Sequence, residues 1–234
     1  MVFKVLVLGL FMATRLYLPS DIIAPPFTPL GGTGWDDESI NQYTTFSTSK
    51  RSSAMTTVSF ADADATSRDI RFYSYVSPEL TVGQTVTGSQ AVKLQMRGSQ
   101  VALTNNMFLV FVLHVQNISG PTINKTLFNI SAGRDNTELA TSLTNRQFTG
   151  TSGATNYTTV AGDYIVLNIG TRGDPDAGSD HDSSIRLGDA AASDLPEDDT
   201  DTTDLNPWIE LADTLTFVAA SAPWPGWIGA GGWF

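Results

Sequence analysis

The densest group of chemically able side chains lies between Asp174 and Asp204, where eleven carboxylates accompany a single basic residue, Arg186. Calcium takes six to eight oxygen ligands, and loop carboxylates two residues apart are one way to supply them. Asp174, Asp176, Asp180 and Asp182 are therefore the candidate ligands for Ca2+. Their spacing is not that of an EF-hand: Asp174 and Asp176 suit its first two ligands, but Gly178 falls where the third should stand and the glycine is misplaced. The competing expectation, a pair of solvated and self-repelling loops, is favoured because so loose a pattern barely constrains geometry. Paired carboxylates can also hydrolyse a glycosidic bond, given one raised-pKa acid and one ionised base about 5 to 10 Å apart. No apolar surround that would raise a loop aspartate is legible here. Of the two histidines, His114 sits in an apolar run and His181 in the aspartate-rich loop, a poor basis for a Ser-His-Asp constellation. The expectation is a protein that is not an enzyme, with Ca2+ as the one cofactor option.

Charge and composition remove further classes. Aspartate and glutamate outnumber lysine and arginine by 24 to 13, a net charge of −11, so no surface suited to neutralising phosphates is expected and nucleic acid is excluded as a partner. The absence of cysteine excludes disulfides, thiolate metal sites and a cysteine nucleophile. The glycine clusters at Gly31–Gly34 and Gly229–Gly232 fit neither dinucleotide nor P-loop frames and read as loops. With 29 threonines and 20 glycines against 4 lysines and 5 glutamates, strand and turn formers dominate over the residues that build solvent-facing helices.

The elements that must position these residues are strands. Ten are expected: Thr56–Ala61, Asp69–Val76, Gln84–Thr87, Gln90–Met96, Met107–Val115, Lys125–Ile130, Tyr157–Val160, Tyr164–Ile169, Ser184–Leu187 and Trp208–Phe217. Val92 to Arg97 alternates strictly, so one face packs and the other is wet. Met107 to Val115 is apolar on both faces apart from His114, as a central strand covered on both sides would be. No stretch shows helical amphipathicity. The expected fold is all-β, an antiparallel β-sandwich of about ten strands, jelly-roll-like, with extended N- and C-terminal arms.

Four regions follow. Residues 1–13 form an apolar N-terminal arm or an extended start, since Met12 is itself a candidate initiator. Residues 14–53, rich in proline and glycine between Pro19 and Gly34, read as a linker or edge region, with Trp35 as a core anchor. The sandwich occupies 54–218, and an aromatic tail 219–234. That tail is uncharged, yet Pro223, Pro225 and its glycines would break a membrane-spanning helix, so no membrane is expected. Aromatic side chains hide roughly 150 to 250 Å² each when buried, so such a tail must dock. Trp224, Trp227, Ile228, Trp233 and Phe234 are the expected interface residues, on a neighbouring copy in preference to the tail's own sandwich.

Two segments carry a family resemblance. Ala13-Thr-Arg-Leu-Tyr-Leu-Pro-Ser20, with Gly34-Trp35 beyond it, and Asp194-Leu-Pro-Glu-Asp, running on to Asn206-Pro-Trp-Ile-Glu210, resemble a group of largely uncharacterised proteins of tailed phages and prophages. Ile185-Arg-Leu-Gly-Asp189 follows the same order between them. Residues 1–11 and the aromatic tail depart from that pattern. The resemblance implies a virion structural protein, such as a capsid decoration or cement protein or another head or tail accessory, located in the virion. Its partners would be copies of itself and other virion proteins. The alternative is a carbohydrate-binding sandwich for host-surface glycan, stacking sugar on Trp35 or Trp208 with calcium in the aspartate loops.

Overall fold

Fourteen strands emerge in the computed structural model, which describes residues 13–39, 41–50, 53–61, 66–120, 122–174, 182–189, 193–200, 202 and 204–219. They are β1 (Thr14–Tyr17), β2 (Gln42–Thr45), β3 (Thr56–Phe60), β4 (Arg68–Val76), β5 (Thr85–Val86), β6 (Ala91–Gln100) and β7 (Met107–Asn117), followed by the rest in chain order. Those are β8 (Thr122–Phe128), β9 (Arg134–Glu138), β10 (Thr144–Thr151), β11 (Tyr157–Thr158), β12 (Asp163–Gly173), β13 (Ser183–Leu187) and β14 (Trp208–Leu211). Ten coincide with expected strands; β1, β2, β9 and β10 do not, because β1 and β2 are four-residue edge strands within the segment read as a linker and β9 and β10 are almost wholly polar. The expected strand at Trp208–Phe217 ends at Leu211, and only Phe217 pairs again, in a single bridge to Leu80.

Two sheets form the sandwich, each mostly antiparallel. In the first, β6 pairs along one edge with β10 and along the other with two strands end to end. Ser183–Arg186 of β13 face Gln100–Arg97, and Trp208–Leu211 of β14 face Gln95–Val92. β13 and β14 are thus halves of one interrupted strand, with residues 188–207 as an excursion between them. β3 and β1 continue the sheet beside the two halves. The second sheet runs β2-β4-β12-β7, with β8 and β9 sharing the far edge of β7. Residues 14–53 therefore supply an edge strand to each sheet.

The core lies between the sheets. Val92, Leu94 and Met96 of β6 meet Leu109, Phe111, Leu113 and Ile165, and Phe111, Phe128 and Phe148 pack with ring centroids 4.6–5.6 Å apart. A bulge where β12 meets β4 explains one glycine: a Cβ on Gly170 would overlap the Ile70 carbonyl oxygen.

The outer face of the second sheet is covered too. Phe27 stacks edge-on against Tyr164 at 5.0 Å, and Trp35 packs on Val110, Val112 and Ile130. Asn168 donates to the carbonyls of Leu30 and Gly31 at 3.0 and 3.2 Å, and the Leu30 amide donates to Gln116 Oε1 at 2.8 Å. The proline-rich segment from Pro19 to Ser39 is thus a strap whose backbone at Thr28, Leu30 and Gly31 is satisfied by side chains of the sheet beneath. It is the reason β7 and β12 are buried on both faces, as an apolar run in a sandwich strand requires.

Candidate functional site

The aspartate-rich excursion is a second strap, lying across the first sheet, and its described part is not a solvated, self-repelling loop. Arg15 binds Asp194 at 2.8 Å and Glu210 at 2.6 Å, Lys50 reaches Asp194 at 3.4 Å and Lys93 reaches Glu197 at 2.7 Å. Asp204 takes Arg186 at 2.8 Å and is also paired with Arg97. Side chains of the sheet hold the strap's backbone: Gln95 donates to the Asp198 carbonyl, Arg146 to Asp199 and Arg97 to Thr202. Trp208 is buried beneath it, its indole N–H donating to the Leu195 carbonyl at 2.9 Å and the Arg15 guanidinium 3.9 Å from its ring. A saccharide platform on Trp208 is therefore ruled out by burial. Trp35 is half-buried, with its indole N–H given to the Gly31 carbonyl.

Four candidate metal ligands separate into two described and two not. Asp174 accepts from Arg172 Nε at 2.8 Å, and the Asp182 backbone carbonyl accepts from the Val101 amide at 3.1 Å. Asp176 and Asp180 lie outside the described residues, as does His181. Among the described residues no group of three or more histidine or acidic side chains is placed to hold a metal ion.

Asp174 instead borders a cleft of about 290 Å³ at one end of the second sheet, lined by Phe108, Arg134, Asp135, Asn136 and Arg172. Behind it the buried Asp69 carboxylate uses one oxygen to hold both Arg134 Nη2, at 2.7 Å, and Arg172 Nη1, at 3.0 Å. Burial pushes the Asp135 carboxyl up to about 6, with the charge of Asp199 adding and two backbone N–H groups and Arg146 opposing. Two fixed guanidiniums, an amide, carboxylates and a half-buried ring can hydrogen-bond a polyol while its apolar face rests on Phe108. Of these residues only Asp174 was singled out by sequence; Arg134 and Asp135 belong to a wholly polar strand with no periodic signal.

His114 is fully buried on β7 under the proline-rich strap, neither ring nitrogen having a hydrogen-bond partner. Burial, with the Arg71 cation adding, lowers its pKa to about 4, while proximity to Gln116 works the other way. The Gln116 amide itself is committed to Leu30 and Thr28 of the strap. His114 is thus a neutral structural residue, not a base.

The opposite end of the sandwich is where both terminal segments attach. Thr14 enters beside the last residues of the body, its amide donating to the Asp213 carbonyl at 3.0 Å and its hydroxyl accepting from the Leu215 amide. The chain leaves past Val218, whose amide donates to the Glu79 carbonyl at 2.7 Å. Exposed aliphatics gather on the same loops: Val82, Ile118, Val160 and Val218. Sequence reasoning missed these four, although a valine between turn residues, as in Thr81-Val-Gly83, is a usable signal. Trp224, Trp227, Ile228, Trp233 and Phe234 lie outside the described residues.

No family model matches the chain, and no curated protein does. A solved structure of infectious bursal disease virus, Gx strain, shares 8% identity at a TM-score of 0.22, covering 70% of this chain and 37% of that one. The chain spans little more than a third of that protein's length, and so low a score carries no functional argument.

Proposed function

We propose that this chain is a virion structural protein, an accessory component such as a capsid decoration protein, that joins copies of itself and other virion proteins through its terminal segments. The observation that carries this reading is the shared exit: two strongly apolar segments, residues 1–12 and 220–234, both attach to one end of a sandwich whose sheet faces are already strapped. Apolar segments concentrated at one end suit attachment to a symmetric particle, where one patch repeated by symmetry joins many copies. The reading also agrees with the sequence resemblance at Ala13–Ser20 and Asp194–Glu210. Its role is structural, with no catalytic step assigned. Light scattering on size-exclusion fractions tests it: the full chain forms a discrete oligomer, and a chain ending at Ser221 is monomeric. A monomer in both cases overturns assembly through the tail.

Saccharide binding for host attachment is a second reading, favoured by the cleft of Phe108, Arg134, Asp135 and Arg172. Amide-resonance titration with neutral and acidic oligosaccharides tests it. Shifts confined to these residues and lost in Arg172→Ala support it; uniform silence across the panel removes it.

A further inference from the structure

We infer that the aromatic tail of one copy seats on the Val82–Ile118–Val160–Val218 rim of a second copy, so that two chains meet end to end; this rests on the assembly reading above and names its surface. The rim is a single structural unit. The Val218 amide bonds the Glu79 carbonyl, the Glu79 carboxylate accepts the Gly162 amide at 2.8 Å, and the Gly162 carbonyl accepts the Ile118 amide at 2.8 Å. Gly83 is tied to Thr159 at 2.9 Å and Thr81 to Thr216 at 3.0 Å, so the loops bearing Val82 and Val160 belong to the same cluster. On it Val82 is 65% exposed, Val160 47%, Val218 46% and Ile118 38%.

The occupant is argued from the chain that continues beyond it. Residues 214–234 carry no charged side chain, and the tail follows directly on Val218 of the rim. The charged groups at this end are occupied. Asp163 is buried and accepts from Asn117, Asn124 and Tyr157, and Asp213 accepts from the Thr87 amide and Gln90. The carboxylates are thus engaged by neutral donors of the body, and an uncharged tail is neither attracted nor repelled by them. Size decides between its own copy and another. The four exposures together amount to about two whole aliphatic side chains, whereas Trp224, Trp227, Trp233 and Phe234 must hide roughly 600 to 1,000 Å². One rim cannot cover one tail. Two tails crossing between two rims cover each other as well, and together reach the roughly 1,200 to 2,000 Å² of a stable interface. Fifteen residues stretch to at most about 50 Å, long enough to cross from one rim to the next. The arrangement is isologous, each copy giving a tail and receiving one.

The chain lacks cysteine, which makes the test direct. Full-length Val160→Cys and Trp227→Cys chains, purified apart, mixed and oxidised, are expected to yield a covalent dimer holding one chain of each kind, identified by its mass. A Val160→Cys/Trp227→Cys double variant that closes its bond only within one chain, with no crosslink on mixing, overturns exchange between copies. A Val82→Asp/Val160→Asp variant is expected to be monomeric by light scattering with an unchanged far-ultraviolet spectrum. If that folded variant keeps the oligomer while removal of residues 222–234 dissolves it, the rim is not the seat, although tail-driven assembly stands. A monomeric full chain overturns both.

Discussion

Replacing His114 with leucine isolates the effect of a histidine sealed between a sheet and a strap. The folded ring titrates at about 4, held there by burial and by the Arg71 cation, whereas an unfolded histidine titrates near 6.5. Between those values the unfolded chain binds the extra proton, so this residue lowers stability as pH falls: the penalty is absent above about 6.5 and complete near 4. From pH 7.5 to 4.5 the loss amounts to about 2.5 kcal/mol, at about 1.4 kcal/mol per pKa unit. Asp135 acts with the opposite sign. Its carboxyl, pushed up to about 6 by burial, takes a proton before an unfolded aspartate does. It therefore adds stability as pH falls from about 6 towards 4, by about 1 to 2 kcal/mol once its partial exposure is allowed for. In the unaltered chain the second partly offsets the first, leaving a net loss of about 0.5 to 1.5 kcal/mol. Urea unfolding followed by tryptophan fluorescence at pH 7.5, 6.0 and 4.5 separates them, because the variant-minus-parent difference removes every other titrating group. At pH 7.5 His114→Leu is already more stable, by about 1 to 3 kcal/mol, since two unsatisfied buried nitrogens are gone. Its advantage grows by about 2.5 kcal/mol at pH 4.5. An advantage that stays constant across the three pH values refutes the depressed pKa and the sealed environment with it.

Trp208→Ala removes a fully buried ring together with its bond to Leu195 and its contact with Arg15, and should cost about 3 to 5 kcal/mol by denaturant titration; a loss under about 1 kcal/mol would mean the acidic strap is not anchored there. Gly170→Ala drives a methyl group into the Ile70 carbonyl and should cost at least about 3 kcal/mol, whereas Gly83→Ala, in open space at φ +82°, should cost about 1 kcal/mol; equal melting temperatures would contradict the bulge. The half-exposed ion pairs of the acidic strap are each worth about 0 to 1 kcal/mol and are screened at 1 M salt, where the Debye length is about 3 Å. A glutamate-specific protease should accordingly cut at Glu197 several-fold faster in 1 M salt than in 0.05 M, with cleavage at Glu79 as the internal control.

What the sequence disclosed depended on whether burial was written into the buried residues themselves. Val92 to Arg97 alternates because β6 packs one face on the core, and Met107 to Val115 is continuously apolar because β7 is covered twice. Both were legible. β9, Arg-Asp-Asn-Thr-Glu, and β10, Thr-Asn-Arg-Gln-Phe-Thr-Gly-Thr, carry almost no apolar signal, since they pair at sheet edges and leave the packing to Phe148 and to neighbours. Counting charges also misled: eleven carboxylates beside one arginine in sequence suggested repulsion, yet Arg15, Lys50, Lys93 and Arg97 reach them from positions up to 179 residues away. For the candidate sites, Asp174 is visible in the sequence as an acid, but its pairing with the guanidinium two residues earlier is set by the end of β12 and carries no sequence signal.

Two straps also explain why the ends of the sandwich are the surfaces left for partners. A sheet face buried under its own chain cannot receive another protein without losing the strap, and here each sheet has one. Sheet edges are the other usual route to association, by strand addition. Most are guarded as well: β8 carries Lys125, β9 is polar throughout, β10 is polar but for Phe148, and β1 and β2 are four residues each, whereas β3, Thr-Thr-Val-Ser-Phe, is an edge strand with no charge. Short, charged or polar edges resist pairing with a neighbour's backbone. Beyond the covered faces and the mostly short or polar edges stand the two ends of the sandwich, one bearing a cleft of paired arginines and the other the aliphatic rim of Val82, Ile118, Val160 and Val218.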